Sequence, residues 1–355
     1  MRVRIGRIVQ FASVVMIMAA ASLIAQRSPA PPVTAQDLLD GLKDPSRWLT
    51  FSGDYSGRRN SPLTQITPAN VSRLSAQWTF QTDVPGKFEA SPLVLDGIIY
   101  VTGVDNNAWA IDARSGRQIW RYRRDVPEDV LPCCGRVNRG FGMLGDKLFM
   151  VTLDAHLLAL DMKTGTVVWD AVLEDFQKGY AATIAPLVVG NNVIVGVAGG
   201  EFGIRGFIDA YNAQTGKRTW RFYTVPAPDE PGGETWPGDS WQRGGGSVWK
   251  VGSYDPELDT IYYGTGNPST NLLHCSSWST EWFSSTIKFS VAAAQCTEAS
   301  AAIGDIAICS AIATPCSWAR SPIFFVSKMP PEEAKSGWAT AMARFSNNGR
   351  KSSLR

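Results

Sequence analysis

Three stretches of the chain repeat one pattern of apolar, polar and aromatic positions. They are 110-AIDARSGRQIW-120, 159-ALDMKTGTVVW-169 and 210-AYNAQTGKRTW-220, each reading Ala-x-Asp/Asn-x-x-Ser/Thr-Gly-x-x-x-Trp. Successive copies start 49 and 51 residues apart, at 110, 159 and 210. Each follows a run rich in β-branched and apolar residues: 98-IIYVTG-103, 148-LFMVTL-153 and 193-VIVGVAGG-200. Such runs predict strands. A fourth run, 261-IYYGTGN-267, has no repeat copy after it. Strands and turns recurring about every 50 residues mark a β-propeller or a related array. The Asp-x-x-Thr-Gly segment predicts a tight turn in which the Asx side chain bonds the backbone and glycine takes positive φ. Trp120, Trp169 and Trp220 then read as packing residues between neighbouring sheets.

The rhythm stops after Ser269. Residues 270–355 hold 3 of the 33 glycines, one aspartate, 15 serines and four of the six cysteines, a composition foreign to the repeats. This tail is expected to be divergent and poorly ordered, an aberrant or out-of-frame end, with an extra domain as the alternative. At the other end, Arg2, Arg4 and Arg7 precede an apolar run from Ile8 to Ala25 that closes among small residues. That is the form of a secretory signal; an uncleaved anchor helix is the alternative. The expected organisation is 1–26 signal, 27–47 linker, 48–269 incomplete propeller and 270–355 tail.

The net charge of +2 gives no reason to expect nucleic acid or an anionic membrane surface as partner. His274 and the cysteines near it lack the paired spacing of a zinc site. No C-x-x-C-H attaches a haem, and no G-x-G-x-x-G opens a helix for a nicotinamide. Two histidines in the whole chain, His156 and His274, give a Ser-His-Asp hydrolase little to build on.

The stretch 131-LPCCGRVNRG-140 places Cys133 and Cys134 side by side. Neighbouring Cα atoms lie about 3.8 Å apart, short of the usual disulfide window that opens near 4.4 Å. Read alone, the pair is equally two idle thiols, two separate bridges or a strained ring.

The repeat, the opening 52-SGDYSGRRNSPLTQITPANVSRLSAQWTF-80, the cysteine pair and 196-GVAGGEFGIRGFIDAYNAQTGK-217 together resemble the pyrroloquinoline quinone (PQQ)-dependent alcohol dehydrogenases. The resemblance runs over residues 48–269. It implies an all-β propeller, eight-bladed in that family, of which this chain supplies about three and a half blades. It further implies PQQ- and calcium-dependent oxidation of a primary alcohol to an aldehyde in the periplasm. A lanthanide is the alternative metal, and a cytochrome c the expected electron acceptor.

By the same resemblance, Cys133 and Cys134 form a disulfide ring against one face of PQQ, and Trp249 of 244-GGGSVW-249 covers the other. Arg139 reaches a cofactor carboxylate, Glu89 and Thr183 add polar contacts, and Gly199 and Gly200 let the backbone approach. Glu201 and Asn267, from Gly-Gly-Glu-Phe-Gly and 264-GTGNPS-269, match the metal ligands. All-oxygen ligation suits a hard cation.

The family's general base, an aspartate downstream of the Asn-Pro segment, has no counterpart. Glu281, Glu298 and Asp305 sit in no matching motif, so no catalytic residue is assigned and an inactive or impaired copy is expected. The alternative is a non-catalytic propeller scaffold like that of outer-membrane assembly lipoproteins. A scaffold would keep the repeats but has no use for Cys133, Cys134, Arg139, Glu201 and Asn267 together. A kelch- or WD40-type interaction propeller lacks its own signature here.

Overall fold

The computed structural model describes residues 32–269 except residue 131, and the backbone of three later strands, Ser285–Ser290, Ala307–Cys309 and Phe324–Ser327. The chain divides into a leading unit, Met1–Val33, and a main unit from Thr34 onward. The expected signal, residues 1–26, lies outside the described residues. Among the described residues no helix is long and apolar enough to cross a membrane. The segment expected as a linker carries a short helix, α1 (Ala35–Asp40). The Thr34 hydroxyl accepts from the Asp37 N–H at 3.1 Å, and the Asp37 carboxylate accepts from the Thr34 N–H at 2.8 Å. This reciprocal cap satisfies donors that the first turn leaves unpaired.

The main unit is built from antiparallel four-stranded sheets in sequence order. The first holds β1 (Leu93–Leu95), β2 (Ile98–Thr102), β3 (Asn107–Asp112) and β4 (Gln118–Arg123). The second holds β5 (Gly142–Leu144), β6 (Lys147–Val151), β7 (His156–Asp161) and β8 (Val167–Val172). The third holds β9 (Leu187–Val189), β10 (Asn192–Gly196), β11 (Phe207–Asn212) and β12 (Arg218–Tyr223). A fourth begins with β13 (Ser253–Asp255) and β14 (Thr260–Thr265). Each apolar run of the sequence is the second strand of its sheet.

The fourth sheet departs from the pattern. Its third strand, β15 (Ser285–Ser290), pairs with β14 from Thr260↔Ser290 to Thr265↔Ser285. Two more strands, β16 (Ala307–Cys309) and β17 (Phe324–Ser327), follow in the order β15-β17-β16, with β17 parallel to β15. All three come from residues 270–355, the segment expected as the tail. They carry no turn signature that a repeat pattern could flag. The rest of 270–355 lies outside the described residues.

Every repeat copy forms strand three, a turn and strand four. Asp112, Asp161 and Asn212 each accept from a backbone N–H three residues on, at 2.7, 2.8 and 3.0 Å. Gly116, Gly165 and Gly216 then sit at φ 69°, 72° and 68°. The repeat alanine faces the repeat tryptophan across the last two strands, as Ala110↔Trp120, Ala159↔Trp169 and Ala210↔Trp220.

The tryptophan reaches forward onto the turn of the next sheet. A Cβ on Gly165 would lie 2.6 Å from the Trp120 ring, and one on Gly216 2.8 Å from Trp169. The indole N–H groups donate to Met162 O at 3.0 Å and Ala213 O at 3.2 Å. These turn glycines therefore answer to a ring overhead as well as to positive φ. The same geometry exposes a docking residue that the repeat did not flag. Trp78 donates to Ala113 O at 3.0 Å, and a Cβ on Gly116 would lie 2.6 Å from its ring. Trp78 thus stands where the last strand of a preceding sheet would place it.

Residues 48–55 cross the side of the first strands. Trp48 pairs antiparallel with Val94, and the buried Tyr55 hydroxyl donates to Val188 O at 2.6 Å. The Tyr55 ring meets Tyr254 edge-on with centroids 5.1 Å apart. One segment therefore ties the first, third and fourth sheets together. Tyr55→Phe leaves the Val188 carbonyl without its buried donor, and a loss of about 1–2 kcal/mol is expected. A urea titration with an unchanged midpoint would contradict it.

Candidate cofactor site

The three polar residues expected at the site occupy equivalent places. Glu89, Arg139 and Thr183 each stand just before the first strand of their sheet, ahead of Leu93, Gly142 and Leu187. Their backbones are linked: the Ser91 N–H donates to Arg139 O at 3.1 Å, and the Arg139 N–H to Thr183 O at 3.0 Å. Three sheets thus deliver three side chains to one spot.

Arg139 is the centre. Its guanidinium pairs with the Glu89 carboxylate at 2.9 Å and donates to the Thr183 hydroxyl at 2.6 Å. It lies over the Trp249 ring, 4.9 Å from the centroid. Burial pushes its pKa down from the ordinary value, opposed by Glu89 and the two thiols. A guanidinium taken from water needs anions within reach, and the more exposed Glu89 is the one the protein provides.

Cys133 and Cys134 are exposed free thiols in this structure, so the disulfide expected from the resemblance is not formed here. The Cys133 thiol is pushed up to about 12, first by desolvation, then by its hydrogen bond to Cys134 and by the facing Glu201 carboxylate. The cysteine loop and the Glu201 turn are therefore neighbours.

Glu201 sits on a single 3₁₀ turn, Gly200–Phe202, entered through Gly199 at φ 113°. A Cβ on Gly199 would fall 2.0 Å from Gly179 O, a contact that only glycine avoids. Ser247, buried and absent from the sequence expectations, joins this turn to the Asn267 turn. Its Oγ lies 2.9 Å from where a Gly200 Cβ would be, and 2.7 Å from that of Gly266. The Gly246 N–H donates to Asn267 O at 3.0 Å. The run 244-GGG-246 was the available signal for this close packing, because a glycine run in a repeat protein marks backbone close to backbone.

Arg139 contacts Glu89, Thr183 and Trp249 directly; Cys133 and Cys134 lie near Arg139, and Glu201, on the turn entered through Gly199 and Gly200, faces Cys133. Asn267 comes near through its backbone. Among the described residues no cluster of three or more His, Cys, Asp or Glu side chains could hold a metal by itself. Glu201 and Asn267 offer hard oxygen donors of the kind a divalent or trivalent cation takes. The half-buried cation, the indole face beneath it and the glycine-lined turn fit a flat polycarboxylate.

Comparison with known proteins agrees. Residues 48–287 match the family model described as the β-propeller domain of PQQ glucose/ethanol/alcohol dehydrogenases. The chain belongs to this family. It is 38% identical over 255 residues to the quinoprotein alcohol dehydrogenase PedH of Pseudomonas putida, covering 67% of this chain and 43% of that protein. It is 38% identical over 278 residues to a lanthanide-dependent methanol dehydrogenase of Methylacidiphilum fumariolicum, covering 72% and 45%. Among solved structures, the quinohemoprotein alcohol dehydrogenase ADHIIG of Pseudomonas putida HK5 superposes with TM-score 0.64 at 39% identity, covering 68% of this chain and 38% of that one. A europium-containing methanol dehydrogenase gives TM-score 0.63 at 38% identity, over 66% and 44%. The chain spans less than half the length of these relatives. Its all-β architecture of four-stranded sheets is that of the PQQ-dehydrogenase propellers.

Proposed function

We propose that this chain, exported to the periplasm, binds PQQ and a metal ion in the manner of the quinoprotein alcohol dehydrogenases. The observation that carries the reading is the convergence of Glu89, Thr183 and Trp249 on the half-buried Arg139. When bound, PQQ supplies the two-electron acceptor for oxidation of a primary alcohol to an aldehyde, and the metal polarises its quinone carbonyl. Arg139 would pair with a cofactor carboxylate, Thr183 would donate its hydroxyl, and Trp249 and the Cys133–Cys134 pair would hold the cofactor between them. Gly199 and Gly200 keep the approach clear of side chains. Glu201 and Asn267 hold the metal, calcium or a lanthanide. In an oxidising compartment the two cysteines close into the vicinal disulfide. A cytochrome c takes the electrons.

No residue is assigned as the base that removes the alcohol proton, since Glu281, Glu298 and Asp305 match no motif of the family. Binding is therefore expected with little or no turnover. The test is titration of the oxidised chain with PQQ and calcium, or with PQQ and a lanthanide, followed by tryptophan fluorescence. Saturable quenching that falls about tenfold or more in affinity in Glu201→Gln supports the reading. Absence of quenching with either metal sinks it. Ethanol oxidation at rates typical of enzymes, about 1 per second or faster, would instead show that a base is present.

A further inference from the structure

Asn138 stands beside Arg139 and has no part in the proposed chemistry, yet it is buried, 3% exposed, in the loop that delivers the guanidinium. That loop runs from residue 124 to residue 140, between β4 and the entry to β5. Its start is fixed by Arg124, which donates to Asp154 at 3.0 Å and to Asp170 at 2.8 Å. Asp170 in turn meets His156 Nδ1 at 2.6 Å. The middle of the loop carries Cys133 and Cys134, both exposed. Its end is fixed by Asn138.

Both ends of the Asn138 carboxamide are used. Nδ2 donates to the carbonyl of Val151, the last residue of β6, at 2.9 Å. Oδ1 accepts from the Gly140 N–H at 3.0 Å. One bond therefore runs to the second sheet, and the other closes over Arg139 itself. Gly140 brings no side chain to pin the segment: it sits at φ 133°, and a Cβ there would lie 2.9 Å from Ser91 O. The acceptor is itself held in place. Two residues beyond Val151, the Leu153 N–H donates at 2.9 Å to the buried Asn106, which belongs to the turn between β2 and β3.

Arg139 depends on this anchoring because it answers to several partners at once. Its guanidinium meets Glu89 at 2.9 Å, Thr183 at 2.6 Å and the Trp249 ring at 4.9 Å. A long side chain with a planar fork reaches three such partners together only from a fixed Cα, and a shift of about 1 Å is enough to lose the alignment. The Arg139 N–H bonds to Thr183 O, at the entry to the third sheet, and its carbonyl to the Ser91 N–H, at the entry to the first. Asn138 supplies the bond to the second sheet, which the chain is about to enter. Without the carboxamide, the Val151 carbonyl and the Gly140 N–H lose their partners, and the segment is free to drift toward either neighbour.

We propose that Asn138 is a positioning residue, whose carboxamide sets Arg139 where its guanidinium can meet Glu89, Thr183 and Trp249 together. The proposal rests on the cofactor reading only for its effect on PQQ. A double-mutant cycle in the full chain separates positioning from plain structural support. Asn138→Ala should weaken PQQ binding about tenfold, but by less than about twofold in the Arg139→Leu background, where no guanidinium is left to place. A merely structural role would give the same factor in both backgrounds. The apo chain gives a second readout in the emission of Trp249, isolated by difference from Trp249→Phe. Asn138→Ala should move it at least about half as far as Arg139→Leu does, and should add nothing once Arg139 is leucine. Where the alanine variant fails to fold, Asn138→Asp enters the same cycle, since it keeps the acceptor for the Gly140 N–H and loses the donor to Val151 O. Equal effects in the two backgrounds, no effect in either, or failure of both variants to fold overturns the proposal. Absence of PQQ binding in the unsubstituted chain sinks the cofactor reading alone, because the Trp249 cycle is measured without PQQ.

Discussion

Replacing Arg139 with leucine is expected to weaken PQQ binding by about a hundredfold, the range found when one partner of a desolvated charge pair is lost. The substitution removes the half-buried cation that meets Glu89, Thr183 and Trp249 together. It also leaves Glu89 as an uncompensated carboxylate facing a polycarboxylate ligand. Arg139→Lys should recover only part of the loss, because an ammonium keeps the charge without the planar fork. Fluorescence titration measures both variants. A change below about threefold for the leucine variant would mean that Arg139 serves the loops and not the ligand.

The largest effect on folding is expected at Arg221→Met. Asp209, on β11, is wholly buried, and Arg221 of β12 holds it through Nε–Oδ1 at 2.7 Å and Nη2–Oδ2 at 2.8 Å. The Tyr211 hydroxyl donates to the same carboxylate at 3.0 Å. Arg221 also donates to Leu173 O at 2.8 Å and pairs with Glu174 at 3.1 Å, both beyond the end of the second sheet. Its guanidinium lies 3.6 Å from the centre of the Phe207 ring. Removing it leaves the buried Asp209 carboxylate with only the more distant Arg218 at 3.7 Å and the Tyr211 hydroxyl, and it severs a tie between two sheets, costing about 3–5 kcal/mol. Denaturant unfolding checks this, and Asp209→Asn in the same background should recover part of the loss because the stranded charge is gone. If the double variant is less stable than the single one, packing rather than charge governs the site.

Much of this architecture could be read from short-range pattern. The Asp-x-x-Thr-Gly turns and the strands before them are local: an Asx oxygen reaches the backbone three residues on, whatever lies elsewhere. The tryptophans were legible as packing residues but not their partners, since Trp120 docks on Gly165 from a different sheet. Trp78 was missed because its segment lacks the alanine and glycine of the other copies. Its role shows only in the indole bond to Ala113 O. Strand β15 escaped notice for a related reason: its pairing to β14 is a long-range choice unmarked by any turn.

The candidate site divides in the same way. Its residue types, a vicinal cysteine pair, an arginine five residues on, a Gly-Gly-Glu turn and an Asn-Pro segment, stand in the sequence as it is written. Their convergence does not, because it depends on three sheet entries hydrogen-bonded side by side and on Ser247 filling the gap between two glycine turns. The Arg124–Asp154–Asp170–His156 network is wholly a product of tertiary structure. Its members are scattered over residues 124–170 with no motif: Asp154, His156 and Asp170 meet within the second sheet, and only the packing of the first sheet against it brings Arg124 to the two carboxylates. Hydrogen-bond turns and strand periods are encoded within a few residues. Charge balance and docking are decided between sheets, where spacing along the chain carries no information.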